Sequence, residues 1–168
     1  MSASDRTVLF VLGALVAALS ALMLAPAAVD LRRAPEMAAA FLGSGFAGLF
    51  AGGLMILMAR GAEKGLTARG AILVTVGAWI LLPLIGALPF VLALQDISLT
   101  DAMFEAVSGL TTTGATVMTG LQETPRSILL WRALLQWIGG VGIIVTAMAI
   151  WPFLGIGRMQ LFRLESSY

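Results

Sequence analysis

The sequence contains no cysteine and no histidine. These absences exclude disulfide bonds, thiol nucleophiles, zinc or haem sites held by imidazole, and acid–base catalysis by histidine. Charge is also scarce, because charged residues make up 11% of the 168 residues, against about a quarter in a soluble domain. There is no stripe of lysine and arginine for binding phosphates, and no paired carboxylates or nucleophile–base set. We therefore expect no nucleic-acid partner, no enzymatic activity and no cofactor.

Hydrophobic residues make up 60% of the sequence and are concentrated in four uncharged runs, residues 7–29, 37–59, 70–95 and 133–157. Each run reaches the roughly 20 residues that an apolar helix needs to cross about 30 Å of hydrocarbon. Backbone polar groups in lipid must be paired within their own segment, so each run is predicted to be a spanning helix in contact with membrane lipid. The alternative for the first run is a secretory signal cleaved near Ala25-Pro26-Ala27, but its apolar core is longer than such signals have.

Charged linkers separate the runs and indicate their orientation. Residues 30–36 form a tight turn between the first two runs, and residues 60–69 join the second to the third. Basic residues favour the cytoplasmic side of a membrane. The stretch 70–125 contains no basic residue, so we expect it outside and both chain termini in the cytoplasm. Its acidic residues either concentrate cations at a pore mouth or simply solvate a loop; they are Asp96, Asp101, Glu105 and Glu123.

The stretch 97–126 is too apolar for an ordinary loop, and the part before its threonines is only about ten residues long. At 1.5 Å per residue, a helix of that length covers roughly half of the bilayer core, which is typical of a re-entrant segment. Ser98 and Asp101 fit the pattern that starts a helix. The run from Thr111 to Gly114 is where the helix is expected to stop, and an extended strand should then lead back out.

A threonine–glycine strand at membrane depth can coordinate a cation through its backbone. Its backbone is tolerated there only if protein or a water-filled cavity surrounds it. Successive carbonyl oxygens in such a strand can replace the water shell of a potassium ion, and this chemistry needs small residues and no side-chain charge. A threonine- and glycine-rich external loop is also common, so spacing alone leaves a plain loop as the alternative.

Residues 104–116, which contain Thr111-Thr112-Thr113-Gly114-Ala115, resemble the first pore loop of TrkH-type potassium uptake subunits of the Trk/Ktr/HKT superfamily. Residues 131–144 resemble the helix that follows that loop, and residues 159–163 match the segment that leaves it for the cytoplasm. The resemblance implies an all-α membrane protein with four transmembrane helices, one re-entrant pore half-helix and a filter loop. Residues 1–66 would form an accessory two-helix hairpin, and residues 67–168 the first of four helix–pore loop–helix units.

The resemblance also implies a site and partners. Potassium is the transported ion, and its selectivity filter comprises Thr111, Thr112, Thr113, Gly114 and Ala115, with the backbone carbonyls of Thr112 and Thr113 as ligands. Apart from the resemblance, the positions of Arg132 and Gln136 on one face of the last run, with Glu105 among the apolar residues of the loop, make these three the candidates for pore-loop support. Gln136 could bond either to the loop or to a neighbouring helix. The expected partners are the remaining three pore repeats, a second copy in a homodimer, and a cytosolic nucleotide-binding regulatory subunit of the TrkA-like kind. The expected location is the bacterial cytoplasmic (inner) membrane.

The chain departs from the family pattern because it has one pore loop where four are needed to surround an ion. Either it is a fragment of a longer protein, which we prefer, or several copies assemble. A smaller departure is Arg158, where the family tends to have glycine. The alternative function is a non-conducting fragment or a structural four-helix membrane protein.

Several residues keep two interpretations. Arg132 either reaches to the outer interface or holds the pore loop through Glu105 or backbone carbonyls. The glycines of the last run serve either as a hinge or in tight packing; they are Gly139, Gly140 and Gly142. A stripe of small residues in the second run is assigned to helix contact and consists of Ser44, Gly48 and Gly52.

Overall fold

The architecture is entirely helical in the part of the chain that a computed structural model describes, residues 3–62, 65–94 and 96–151. Its helices are α1 (Ala3–Leu22), α2 (Leu24–Asp30), α3 (Pro35–Met58), α4 (Ala68–Ala93), α5 (Leu99–Leu110) and α6 (Arg126–Ile150). Four segments are long and apolar enough to cross a membrane, and they run Ser4–Asp30, Pro35–Met58, Ala68–Ala93 and Arg126–Met148. The 12-residue α5 has a length of about 18 Å, which is too short to cross a bilayer core of about 30 Å. The predicted fold class, four spans and one half-length helix, is confirmed.

The first span is interrupted between α1 and α2. Pro26 lacks an N–H group, and its ring clashes with the carbonyl four residues earlier, which belongs to Leu22, the last residue of α1. A second helix then continues to Asp30. The turn predicted over residues 30–36 is therefore too long at both ends, because Asp30 is buried at the end of α2 and Pro35 and Glu36 already belong to α3. Only Leu31 to Ala34 separate the two helices.

The first two spans pack closely through small residues, as predicted. A Cβ atom at Gly52 would lie 2.7 Å from the carbonyl oxygen of Gly13 and 2.8 Å from the backbone nitrogen of Ala17. A Cβ atom at Gly48 would collide with Ser20, and Ser44 is fully buried. The stripe in α3 is thus the surface on which α1 lies.

The half-length helix α5 lies between α4 and α6, again at glycines. A Cβ atom at Gly86 of α4 would lie 3.3 Å from Leu135 Cδ2, and one at Gly109 of α5 would lie 2.9 Å from Leu135 Cβ. Trp131 of α6, fully buried, donates a hydrogen bond from Nε1 to the carbonyl oxygen of Gly86 at 2.9 Å. Its ring meets that of Phe41 edge-on, with centroids 6.1 Å apart. The core therefore joins α3, α4 and α6 around α5.

The two ends of the bundle are distinct. At one end the start of α1 meets the connection into α4, where Arg6 Nη1 donates to the carbonyl of Arg60 at 3.3 Å and the Ser4 and Thr67 hydroxyls lie 3.4 Å apart. At the other end the last residue of α2 lies beside the start of α6. This arrangement agrees with the predicted grouping of linkers into two sides. Arg158 and the motif at residues 159–163 lie outside the described residues.

We expect Trp131→Phe to lower the free energy of unfolding by about 1 kcal/mol, because the phenyl ring keeps most of the packing but cannot donate to Gly86. Thermal denaturation of the detergent-solubilised protein measures the change. The matched control is Trp137→Phe on the same helix, since Trp137 is 71% exposed. Equal losses for the two variants would contradict the role assigned to the hydrogen bond.

Candidate functional site

The start of α5 is fixed by a reciprocal cap. The backbone N–H of Asp101 donates to Ser98 Oγ at 3.1 Å, and Ser98 Oγ donates to Asp101 Oδ2 at 2.7 Å. This is the helix start predicted from the sequence, and it gives Asp101 a structural partner. Asp96 and Asp101 line a cavity of about 340 Å³ at this end of the bundle, together with Met118, Thr119 and Thr124.

The end of α5 lies at the middle of the bundle, because Leu110 contacts Gly139, the midpoint of α6. A Cβ atom at Gly139 would collide with the carbonyl of Leu110, so only glycine permits this approach. A Cβ atom at Gly140 would lie 3.8 Å from Thr112 Cγ2, whereas a Cβ atom at Gly142 would meet open space. Of the two interpretations of these glycines, close packing therefore applies at Gly139.

The loop after α5 does not form the extended strand that was predicted. The amides of Thr111, Thr112 and Thr113 donate back to carbonyls of α5, at 2.8, 2.9 and 3.0 Å. The φ angle is +58° at Thr112 and +76° at Gly114. A positive φ was expected at Gly114, but at Thr112, a β-branched residue, it is an unfavourable conformation that costs about 1–3 kcal/mol and is typical of functional sites.

The carbonyl oxygens of Thr111, Thr112, Thr113 and Gly114 accept no hydrogen bond from any residue in the described ranges. The carbonyl of Ala115 differs, because it accepts a hydrogen bond from Ser108 Oγ of α5 at 2.6 Å. Residues 111 to 117 are exposed. Within the threonine–glycine motif, the four successive carbonyl groups of residues 111–114 thus lack a hydrogen-bond donor among the described residues, whereas the next carbonyl, that of Ala115, is bonded to α5.

Glu105 anchors the returning chain from inside the bundle. Its side chain is fully buried, and its Oε1 atom accepts hydrogen bonds from Thr116 Oγ1 at 2.6 Å and from the Val117 amide at 2.8 Å. The amide of Met118 lies 3.4 Å from the same oxygen. Because this acid lies on α5 and its partners follow the threonine–glycine motif, one side chain connects the chain before the loop to the chain after it.

Arg132 completes this network. Its Nη1 atom lies 3.0 Å from Glu105 Oε2 in an ion pair and donates a hydrogen bond to Thr116 Oγ1 at 2.7 Å. The arginine lies about 9 Å below the start of α6, and its side chain is only 13% exposed. Its charged group therefore points to Glu105 and Thr116. Because both Glu105 oxygens are engaged, this acid is not a free charge at a pore mouth.

Gln136 lies one helical turn after Arg132 and approaches the threonine–glycine motif without a hydrogen bond to it. Its Nε2 atom is 3.7 Å from the position that a Cβ atom at Gly114 would occupy. The structure thus brings together all the residues selected from the sequence around one loop. The described residues include no group of acidic residues that could hold a metal ion through side chains, so any cation bound here would meet backbone oxygens.

Comparisons with known proteins agree with this arrangement. Residues 38–167 match the family model for TrkH, described as a cation transport protein. The chain is 46% identical to the Trk system potassium uptake protein TrkH of Vibrio parahaemolyticus over 161 residues, and 42% identical to that of Escherichia coli, covering 95% of the chain and 33% of each relative. The TrkH of Halomonas elongata is 44% identical over 163 residues.

A solved structure gives the same result. The crystal structure of the potassium transporter TrkH from Vibrio parahaemolyticus superimposes with a TM-score of 0.81 at 43% identity, covering 91% of this chain and 33% of that one. The chain therefore spans about a third of the length of the relatives it matches and corresponds to their N-terminal part. It belongs to the TrkH family of cation transport proteins.

Proposed function

We propose that this chain contributes one wall of a potassium-selective path, lined by the backbone carbonyl oxygens of Thr111, Thr112, Thr113 and Gly114. The observation that carries the proposal is the row of carbonyls without hydrogen-bond donors, held at the middle of a membrane-spanning bundle. Carbonyl oxygens in such a row can take the place of the hydration shell of potassium. The matched relatives are named potassium uptake proteins, which supports the same ion.

The surrounding electrostatics suit a monovalent cation. The C-terminal end of α5 reaches the middle of the bundle, and this end carries a partial negative charge that stabilises a cation. Glu105, the acid that bonds to the returning chain in the described part of the structure, is paired with Arg132. No net side-chain charge is therefore added to the path, so a dehydrated ion is bound weakly enough to leave.

The supporting residues have distinct roles in this proposal. Glu105, Arg132 and Thr116 brace the returning chain, and Ala115 ties it to α5 through Ser108 rather than serving as an ion ligand. Gln136 sets the distance between α6 and Gly114. Thr112 and Thr113, between the brace and the end of α5, remain the principal ligands.

One loop lines only one side of an ion, so the full path requires three further loops. The length of the relatives supports their presence in the same polypeptide, with residues 1–66 as an accessory hairpin and residues 67–168 as the first pore unit. We extend the proposal to transport without enzymatic activity, in a bacterial cytoplasmic membrane. Both termini would lie inside, an orientation that the lack of basic residues from 70 to 125 favours. A homodimer with a TrkA-like regulatory subunit is part of the same proposal.

We predict that Gly114→Ser reduces the selectivity for potassium over sodium, because a side chain is strained at φ +76° and the carbonyls of the loop must shift. Uptake of both ions in a bacterium that requires potassium, expressing the full-length protein that carries this chain, measures the ratio. Gly120→Ser is the matched control, since φ is +69° there and open space surrounds it. An unchanged ratio in the Gly114 variant would contradict the assignment of this loop to the selective path, and absence of uptake in the unsubstituted protein would argue for the non-conducting alternative.

We predict that Glu105→Gln and Arg132→Met each destabilise the protein by about 3–5 kcal/mol, because each leaves one buried charge without its partner. The double variant should lose less than the sum of the two, which a double-mutant cycle of unfolding free energies measures. Arg126→Gln, at an exposed position on the same helix, is the control and should change little. Additive losses would show that the two charges do not interact.

A further inference from the structure

Asp30 is a buried acidic residue that takes no part in the ion path. It is the last residue of α2, and it is only 4% exposed. An acid at the C-terminal end of a helix faces the partial negative charge of that helix, so α2 itself gains nothing from it. The two neighbouring arginines, Arg32 and Arg33, are exposed, and Asp30 forms no ion pair with any described residue. Its position needs another cause.

The carboxylate of Asp30 serves a different helix. Its Oδ2 atom accepts a hydrogen bond at 2.9 Å from the backbone N–H of Ser127, a residue 97 positions later in the first turn of α6. The N-terminus of a helix carries unpaired N–H groups and a partial positive charge. The N-cap residue of α6 is Pro125, whose side chain cannot supply the missing acceptor. Asp30 therefore caps α6 from outside.

The capped turn leads directly to the brace of the loop. Trp131 follows Ser127 by one helical turn and is held by Phe41 of α3 and Gly86 of α4. The next residue, Arg132, contacts Glu105 and Thr116. A rise or rotation of α6 at Ser127 would therefore move the guanidinium group relative to both of its partners.

We propose that Asp30 is a positioning residue for the ion-selective loop. By capping α6 it fixes the height at which Arg132 meets Glu105, so the accessory hairpin sets the geometry of the filter. The consequence for ion selectivity rests on the proposed function, but the mechanical coupling between Asp30 and the loop does not. If the cap acted only locally, α6 would be weakened at its start and the loop would be unaffected.

Hydrogen–deuterium exchange on the full-length protein in lipid nanodiscs separates these outcomes without requiring transport. Asp30→Ala should increase the exchange rate about fivefold at two places, residues 126–130 and the amides of Val117 and Met118. Fivefold is the change in an equilibrium constant that corresponds to the loss of one helix cap. Asp30→Asn keeps an acceptor oxygen and should stay within about twofold of the unsubstituted protein. Glu36→Gln, an exposed acid on the same side of the hairpin, is the control. Faster exchange at residues 126–130 alone would overturn the proposal.

If the alanine variant does not reach the membrane, Asp30→Glu replaces it. The added methylene displaces the carboxylate and keeps its charge, so exchange at Val117 and Met118 should still increase; no increase would overturn the proposal. The ratio of potassium to sodium uptake should fall about fivefold in Asp30→Ala and recover in Asp30→Asn. If Asp30→Ala changes neither the selectivity of uptake nor the exchange at the loop, the role of Asp30 is refuted and the proposed function is not. If the unsubstituted protein shows no uptake but Asp30→Ala still speeds exchange at Val117 and Met118, the proposed function is refuted and the role of Asp30 is not.

Discussion

The irregular loop depends on a buried carboxylate more than on any other single group. Backbone N–H groups at membrane depth must find acceptors, and a loop has no helical ladder to supply them. Glu105 Oε1 serves the Val117 amide and the Thr116 hydroxyl together. An ionised acid in that position would be costly by itself, and Arg132 offsets the cost at 3.0 Å. The pair thus allows a non-helical backbone to persist inside a helical bundle.

Small residues set the second constraint, because α5 must pass between two spans. Gly86, Gly109 and Gly139 each lie where a side chain would meet a neighbouring helix. They bring the end of α5 to the middle of α6, which brings the threonines to the same depth. The glycine contacts and the hydrogen bonds of Glu105 therefore hold the loop in the same position.

The sequence allowed much of this to be predicted, because the relevant signals are local. The spans follow from uninterrupted apolar runs, α5 from its half length, and its start from the Ser98–Asp101 pattern. The features that were missed depend on distant contacts. Asp30 looks like a turn residue because its partner lies 97 positions away. The conformation of Thr112 is imposed from outside as well, since a β-branched residue does not favour a positive φ.

Among the site residues too, local sequence signals were predictive and distant contacts were not. The threonine–glycine motif identified where the loop lies, and the polar positions inside the apolar segments indicated its supporting residues. Neither indicated that the Ala115 carbonyl bonds to Ser108, because a hydroxyl seven positions earlier has many available acceptors. The two interpretations of Arg132 could not be separated either, since hydropathy does not reveal which neighbour a long side chain meets.

The four unpaired carbonyls of the loop have a consequence for biogenesis. They belong to exposed residues that follow the end of α5 near the middle of α6, a depth at which hydrocarbon would surround an uncovered group. Each polar group left bare in lipid costs several kcal/mol. The isolated unit is thus disfavoured in a bilayer until water or further protein segments cover these carbonyls, so the oxygens proposed to bind an ion would also provide a driving force for assembly.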